Sequence, residues 1–231
     1  MKEILEYLLS RSSEEFKAFN KKIVPDTSYE MLGVKVPVLK AYAKEIAANE
    51  KLKTEFLKEN HRYYEEWFLH GLIIASEKQN VSKLLINLDA FMPRIDNWAI
   101  CDCVVSACKG FKKDKEVVLK KISEWLNSEK VYTVRFGVVS LLDYFMEEKY
   151  LEEITAKTLS LQTEEYYVNM AVAWLYSVML IKHYDYAVKL FESGAIKNAF
   201  VHNKALQKAR ESFRIEEDKK AYLNTLKIKR K

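Results

Sequence analysis

Along NWAICDCVVSACK, residues 97–109, apolar residues fall at Ile100, Cys103, Val104 and Ala107, the spacing of one helix face. At 100° per residue Trp98 and Asp102 then point to the opposite side, one turn apart and away from the predicted core stripe. Similar helical patterns open near Tyr63 (YYEEWFLHGLIIAS), Val131 (VYTVRFGVVSLLDYF) and Glu165 (EYYVNMAVAWLYSVM), so the four openings lie 34 residues apart. A shorter helical pattern follows each: KLLINLDAFM, EVVLKKISEWL, YLEEITAKTL and DYAVKLFESG. A period of that size, filled by two helices and a turn, predicts a repeat array of about six helix pairs, each burying its faces on its neighbours.

Punctuation fits the same reading. Gly110 and Gly194 are placed for helix ends. In MLGVKVPVLKAYAKEIA, Gly33 and Pro37 break the chain, and Pro37 suits the first turn of the next helix. Residues 2–10 and 13–23 predict two short helices ahead of it, with PDTS as a turn. VHNKALQKARESFRI reads as a last, more basic helix and KIKRK as a frayed tail. No linker separates two domains, so residues 1–231 are expected to form one all-α solenoid with a concave groove.

Composition narrows the class. The chain of 231 residues is 49% hydrophobic and 31% charged, with five glycines, three prolines and no strand-type alternation, which predicts a soluble all-helical protein. The opening MKEILEYLLS carries two glutamates and no small-residue cleavage pattern, against a secretory signal. The run VNMAVAWLYSVMLI is too short to span a bilayer, so a buried helix is expected and no membrane partner. Cys101, Cys103 and Cys108, with no histidine at ligand spacing, indicate neither a disulfide framework nor a metal site, and suit a reducing cytoplasm. The net charge of +5 permits a polyanionic partner without requiring one.

In a solenoid the first helices of successive pairs line one face. Trp98, Arg135 and Trp174 lie on three successive first helices, so they are expected to converge with Asp102. Indoles favour a cationic or π-rich ligand, a carboxylate stabilises developing positive charge, and an arginine holds phosphate. Plainer readings stand beside these: core packing for Trp98 and Trp174, a helix-start carboxylate for Asp102, a surface ion pair for Arg135. Trp67 and Trp125 are assigned to packing, His61, Glu65 and Glu66 to a solvated face, and His70 to the core. Two basic groups, Lys109, Lys112, Lys113, Lys115 and Lys204, Lys208, Arg210, are either phosphate contacts or solvated surface.

The run Trp98-Ala99-Ile100-Cys101-Asp102, the arginine in YTVRFGVV, the tryptophan in VNMAVAWLYS and the LGVKVP element at 32–37 together resemble the AlkD family of alkylpurine DNA glycosylases, which are HEAT-like repeat proteins. The resemblance runs from about Met31 to Arg214. It implies a HEAT-like α-α superhelix whose two flanking indoles are Trp98 and Trp174, whose catalytic aspartate is Asp102 and whose backbone-gripping arginine is Arg135. It further implies hydrolysis of the glycosidic bond of N3- or N7-alkylated purines in duplex DNA, approached from the sugar side with the base left in the duplex. Neither metal nor organic cofactor is implied, and a monomer is expected.

The family's DNA-contacting N-terminal element is matched poorly by SSEEFKAFNKKIVPDTSYE within residues 1–30. Val36 replaces a polar donor, leaving Lys35 and Lys40 as the contacts there, and Ser177 stands where a basic residue would hold the strand. Two functions follow: a monofunctional alkylpurine glycosylase, or a non-catalytic HEAT-like module that keeps the groove and binds nucleic acid or protein.

Overall fold

The computed structural model describes residues 2–25 and 27–229. Asp26, within the expected turn, and Arg230 and Lys231 of the basic tail lie outside them, as does Met1. Among the described residues the regular structure is helical, and the strand-like pairing is confined to one isolated bridge between Glu30 and Tyr63. Fourteen α-helices among the described residues follow in pairs: α1 (Lys2–Ser10) and α2 (Glu14–Ile23); α3 (Val36–Ala48) and α4 (Glu50–Phe56); α5 (Tyr64–Ser76) and α6 (Val81–Phe91); α7 (Trp98–Ala107) and α8 (Lys115–Leu126); α9 (Val131–Tyr144) and α10 (Leu151–Leu159); α11 (Tyr166–Lys182) and α12 (Tyr184–Glu192); α13 (Ala199–Arg210) and α14 (Glu217–Thr225).

The helical-repeat expectation holds. First helices α5, α7, α9 and α11 begin at residues 64, 98, 131 and 166, within a residue or so of the predicted openings. The period continues to α13, which begins 33 residues after α11, so the pairs among the described residues number seven rather than six. Asparagines set several of the starts: the side chains of Asn80, Asn97 and Asn198 accept from Lys83 N, Ile100 N and Val201 N, satisfying donors that a helix start leaves open. Gly194 ends α12 as expected, with φ +65° and Ala195 N donating to Leu190 O. Gly110 does not end α7. It lies inside a 3₁₀ turn, Lys109–Lys113, where an added Cβ would come within 3.0 Å of Leu84 Cδ2.

The helices gather into two compact units, one up to Val118 and one from Leu119 onward. In the first, α3 packs on α5 and α5 on α7, with α4 beside α3 and α6 beside α5. Gly71 lets α5 and α7 approach: a Cβ there would stand 2.5 Å from Val104 Cγ2. In the second, α9 packs on α11 and α11 on α13, with α12 and α14 alongside. Trp67 and Trp125 are core residues, and Trp125 meets Phe136 edge-on at 5.2 Å.

Glu65 overturns the solvated-face reading. Its side chain is fully buried and accepts from the backbone N–H groups of Leu32 (2.9 Å), Gly33 (2.8 Å) and Val34 (3.2 Å). Gly33 has φ +91°, and a Cβ on it would lie 2.4 Å from Ser13 O, so only glycine fits. Its own carbonyl accepts from Ser13 N at the start of α2. Glu66 is buried as well, accepting from the backbone N–H groups of Arg62 and Tyr63 ahead of α5. A charged acceptor inside the protein is tolerated because donors replace its water.

His61, also expected on a solvated face, is instead buried, and with His70 it forms a second polar pair, Nε2 and Nδ1 lying 2.9 Å apart. Burial first, then the charges of His70 and Arg94, push His61 down to about 3; burial and Arg94 push His70 down to about 4. The tail also departs from expectation: Asn203 holds both backbone groups of Ile228, at 2.8 and 2.9 Å, so residues 226–228 are fastened to α13 rather than frayed.

Glu65→Gln turns one acceptor oxygen into a donor facing backbone N–H groups and is expected to lower unfolding stability by about 1.5–3 kcal/mol in urea titration; an unchanged midpoint would contradict the turn's dependence on this carboxylate. Both histidines are held neutral by the fold and protonate near 6.5 when unfolded, so stability from them is full above 6.5 and is lost as pH falls through about 4 to about 3. Thermal midpoints should drop across that window, and by less in His70→Gln; equal drops would remove the pair as the cause.

Candidate nucleic-acid interface

The start of α7 is held by the N-terminal segment. Asp96 accepts from the Thr27 hydroxyl at 3.0 Å, from Ser28 N at 2.6 Å, from the Ser28 hydroxyl at 2.9 Å and from the Asn97 amide at 2.7 Å. Asn97 in turn caps the helix, and Tyr29 donates its hydroxyl to Arg94 O. Trp98 follows at once, and its indole N–H donates to Ile23 O at 2.8 Å, at the end of α2. The stretch that matches poorly in sequence therefore fixes the ring orientation of the first candidate residue.

The buried residues of α7 are Ala99, Ile100, Cys101, Val104 and Val105, with Cys108 buried just past its end. Cys103 and Ala107, expected inside, are half-buried, so the stripe is turned by roughly 80° at 100° per residue. Val104, common to both stripes, packs on α5 where Gly71 lets the helices approach. Trp98 and Asp102 remain half-buried, between Val105 and Ala99 around the helix. Burial pushes the Cys103 thiol up, with the Lys40 charge opposing and the Asp102 charge reinforcing. The charges of Lys40 on α3 and Asp102 on α7 thus both reach Cys103.

In the second unit Arg135 is only 6% exposed, and its Nη1 donates to Tyr167 O at 2.7 Å, in the first turn of α11. The guanidinium is thus buried rather than at the surface. Trp174 is half-buried between fully enclosed neighbours, Ala173 and Leu175. It belongs to a half-buried row, Tyr167, Met170, Trp174, Val178 and Ile181, that repeats at helical spacing on a helix otherwise largely enclosed. Ser177 is buried and donates its hydroxyl to Trp174 O at 2.7 Å, so it faces inward.

Of the lysines expected to hold phosphate, Lys35, Lys40 and Lys109 are exposed. Lys204 and Lys208 are half-buried, and Lys204 Nζ donates to Gln207 Oε1 at 3.1 Å. Among the described residues no group of three His, Cys, Asp or Glu side chains gathers around a point where a metal could bind, and no helix is long and apolar enough to cross a membrane.

In the first unit Trp98 and Asp102 stand one turn apart on α7, and in the second Arg135 is bonded to the first turn of Trp174's helix. The sequence profile of the DNA alkylation repair enzymes matches residues 4–207. The chain belongs to this family. No curated protein and no solved structure matches it. Membership in the DNA alkylation repair enzymes connects the chain to DNA repair and to interaction with DNA. The match also includes the N-terminal helices from residue 4 onward, divergent as their sequence is.

Sequence reasoning missed Asp96, because its partners lie up to 69 residues away and carry no spacing signal. A cue was present in Asp96-Asn97 directly before a helix, an acceptor beside a cap. Removing that acceptor with Asp96→Ala is expected to speed amide exchange in residues 27–30 and the first turn of α7, with α9 to α13 unaffected. Uniform change, or none, would show that the clamp does not hold the helix start.

Proposed function

We propose that this chain is a monofunctional DNA glycosylase that hydrolyses the N-glycosidic bond of cationic N3- and N7-alkylated purines in duplex DNA. It acts as a cytoplasmic monomer with no metal or organic cofactor. The observation that carries the reading is the half-buried Trp98 with Asp102 one turn on, in a chain of the DNA alkylation repair enzymes. The Trp98 N–H is committed to Ile23, so what this indole offers a ligand is its ring face, and a ring face attracts cations. Trp174 supplies the second indole. As the glycosidic bond breaks, positive charge passes to the sugar, where the Asp102 carboxylate stabilises it and orients the attacking water.

Arg135 is the backbone contact, presented by a guanidinium already fixed through Tyr167 O. Lys35, Lys40, Lys109, Lys204 and Lys208 add phosphate contacts that give affinity without sequence preference. The second reading, a non-catalytic HEAT-like binding module, is favoured by one observation, the burial of Arg135.

Release of 7-methylguanine from methylated duplex DNA separates the two. Asp102→Asn is expected to keep the fold and to slow release by at least ~100-fold, the scale of losing one well-placed electrostatic stabiliser. Full activity in that variant would make the carboxylate a bystander, and no release by the unaltered protein would favour the binding module. Selectivity is the second outcome: duplexes carrying uracil or hypoxanthine should be left intact, because a neutral base gains little from the indoles and leaves poorly without a proton donor. Efficient uracil release would refute the mechanism.

A further inference from the structure

The expected basic helix and the fastened tail together make a cleft around Lys204 that holds none of the proposed catalytic residues. One face of α13 presents Phe200, Asn203, Lys204, Gln207 and Arg210, and Lys227 arrives from the tail to complete a cleft of about 630 Å³. Lys227 is held there because Asn203 binds both backbone groups of the next residue, Ile228, and because Leu226 O lies 2.9 Å from His202 Nε2. Arg210 is steadied by a hydrogen bond from Nη1 to Asn224 Oδ1. Three cations face one carboxylate, Glu211, which already accepts from Gln207 Nε2 at 2.8 Å. At the rim, Phe200 and Tyr166 are exposed and their rings pack 5.7 Å apart.

We infer that this cleft is a second phosphate-binding site, engaging the DNA backbone, and that the C-terminal tail is a working part of it. The inference rests on the proposed DNA-directed function. Sequence proximity groups Lys204, Lys208 and Arg210; the structure keeps Lys204 with Arg210, adds Lys227 and leaves Lys208 outside the lining. A cluster that is convergent, open and short of carboxylates suits a polyanion, and the fixed tail spares the entropy of ordering a lysine on binding.

The test is the salt dependence of binding to an undamaged duplex, measured for the full-length chain. Removing one phosphate contact lowers the slope of log K against log salt by about 0.9. The double variant Lys204→Glu, Lys227→Glu should therefore bind more weakly and flatten the slope by about two such steps. Asn203→Ala keeps every charge but releases the tail, and should flatten it by about one. Lys189→Glu, an exposed lysine of α12 outside the lining, serves as the charge control and should change the slope less than either. Binding by the unaltered chain with slopes unchanged in the cleft variants would overturn the cleft, and Lys204 as a phosphate contact, and leave the proposed glycosylase activity standing. Failure of the unaltered chain to bind duplex at all would overturn both.

Discussion

The first unit depends on a carboxylate that water cannot reach. Glu65 sits in the opening turn of α5 with its oxygens turned toward three successive backbone N–H groups of residues 32–34. Burying such a group without partners would cost several kcal/mol; with them it becomes a fixed point that joins α5 to the turn leading into α3. Because Gly33 also accepts from Ser13, the same turn positions α2. From α2 the connection runs through Ile23 O to the Trp98 indole. One buried charge thus reaches a candidate ligand-facing ring through hydrogen bonds and a helix.

Three carboxylates of the first unit show how environment divides roles that sequence alone makes alike. Glu65 and Asp96 spend their oxygens on backbone and hydroxyl donors, and their work is architectural. Asp102 stands on the half-buried arc of α7, where its charge and that of Lys40 both act on Cys103. That position keeps a negative charge partly shielded from water, the condition in which it acts most strongly on charge developing nearby. The proposed catalytic role falls to the acid that stands on a helix face rather than in a turn.

What was legible in the sequence was the part governed by local periodicity. Helix starts recur because an apolar face must be renewed for each pair, and caps such as Asn97 and Asn198 mark them within a residue or so. What was not legible depends on partners far along the chain. Glu65 reads as a solvated acid because its donors lie about 30 residues upstream. The α7 stripe is rotated from its periodicity because its burial is set by packing on another helix, α5, about 30 residues upstream. The tail reads as frayed because Asn203, 25 residues earlier, is what fastens it. Within the candidate site the residue types were readable, and the half-buried state of Trp98, Asp102 and Trp174 was not.

The commitment of the Trp98 N–H has a consequence for selectivity under the proposed chemistry. An indole that keeps its donor reads a base edge by hydrogen bonding and discriminates by shape and pattern. One whose donor is spent on Ile23 O has only its π-face, which distinguishes charge and little else, by roughly 0.5–2 kcal/mol. Such a difference is too small to reject the great excess of normal bases by binding alone. The larger part of the discrimination must come from the bond itself, since a cationic purine departs as a neutral molecule whereas a normal base needs a proton. A site of this kind, under the proposed chemistry, remains inert toward undamaged DNA because the lesion's own charge, not the pocket, makes the bond labile.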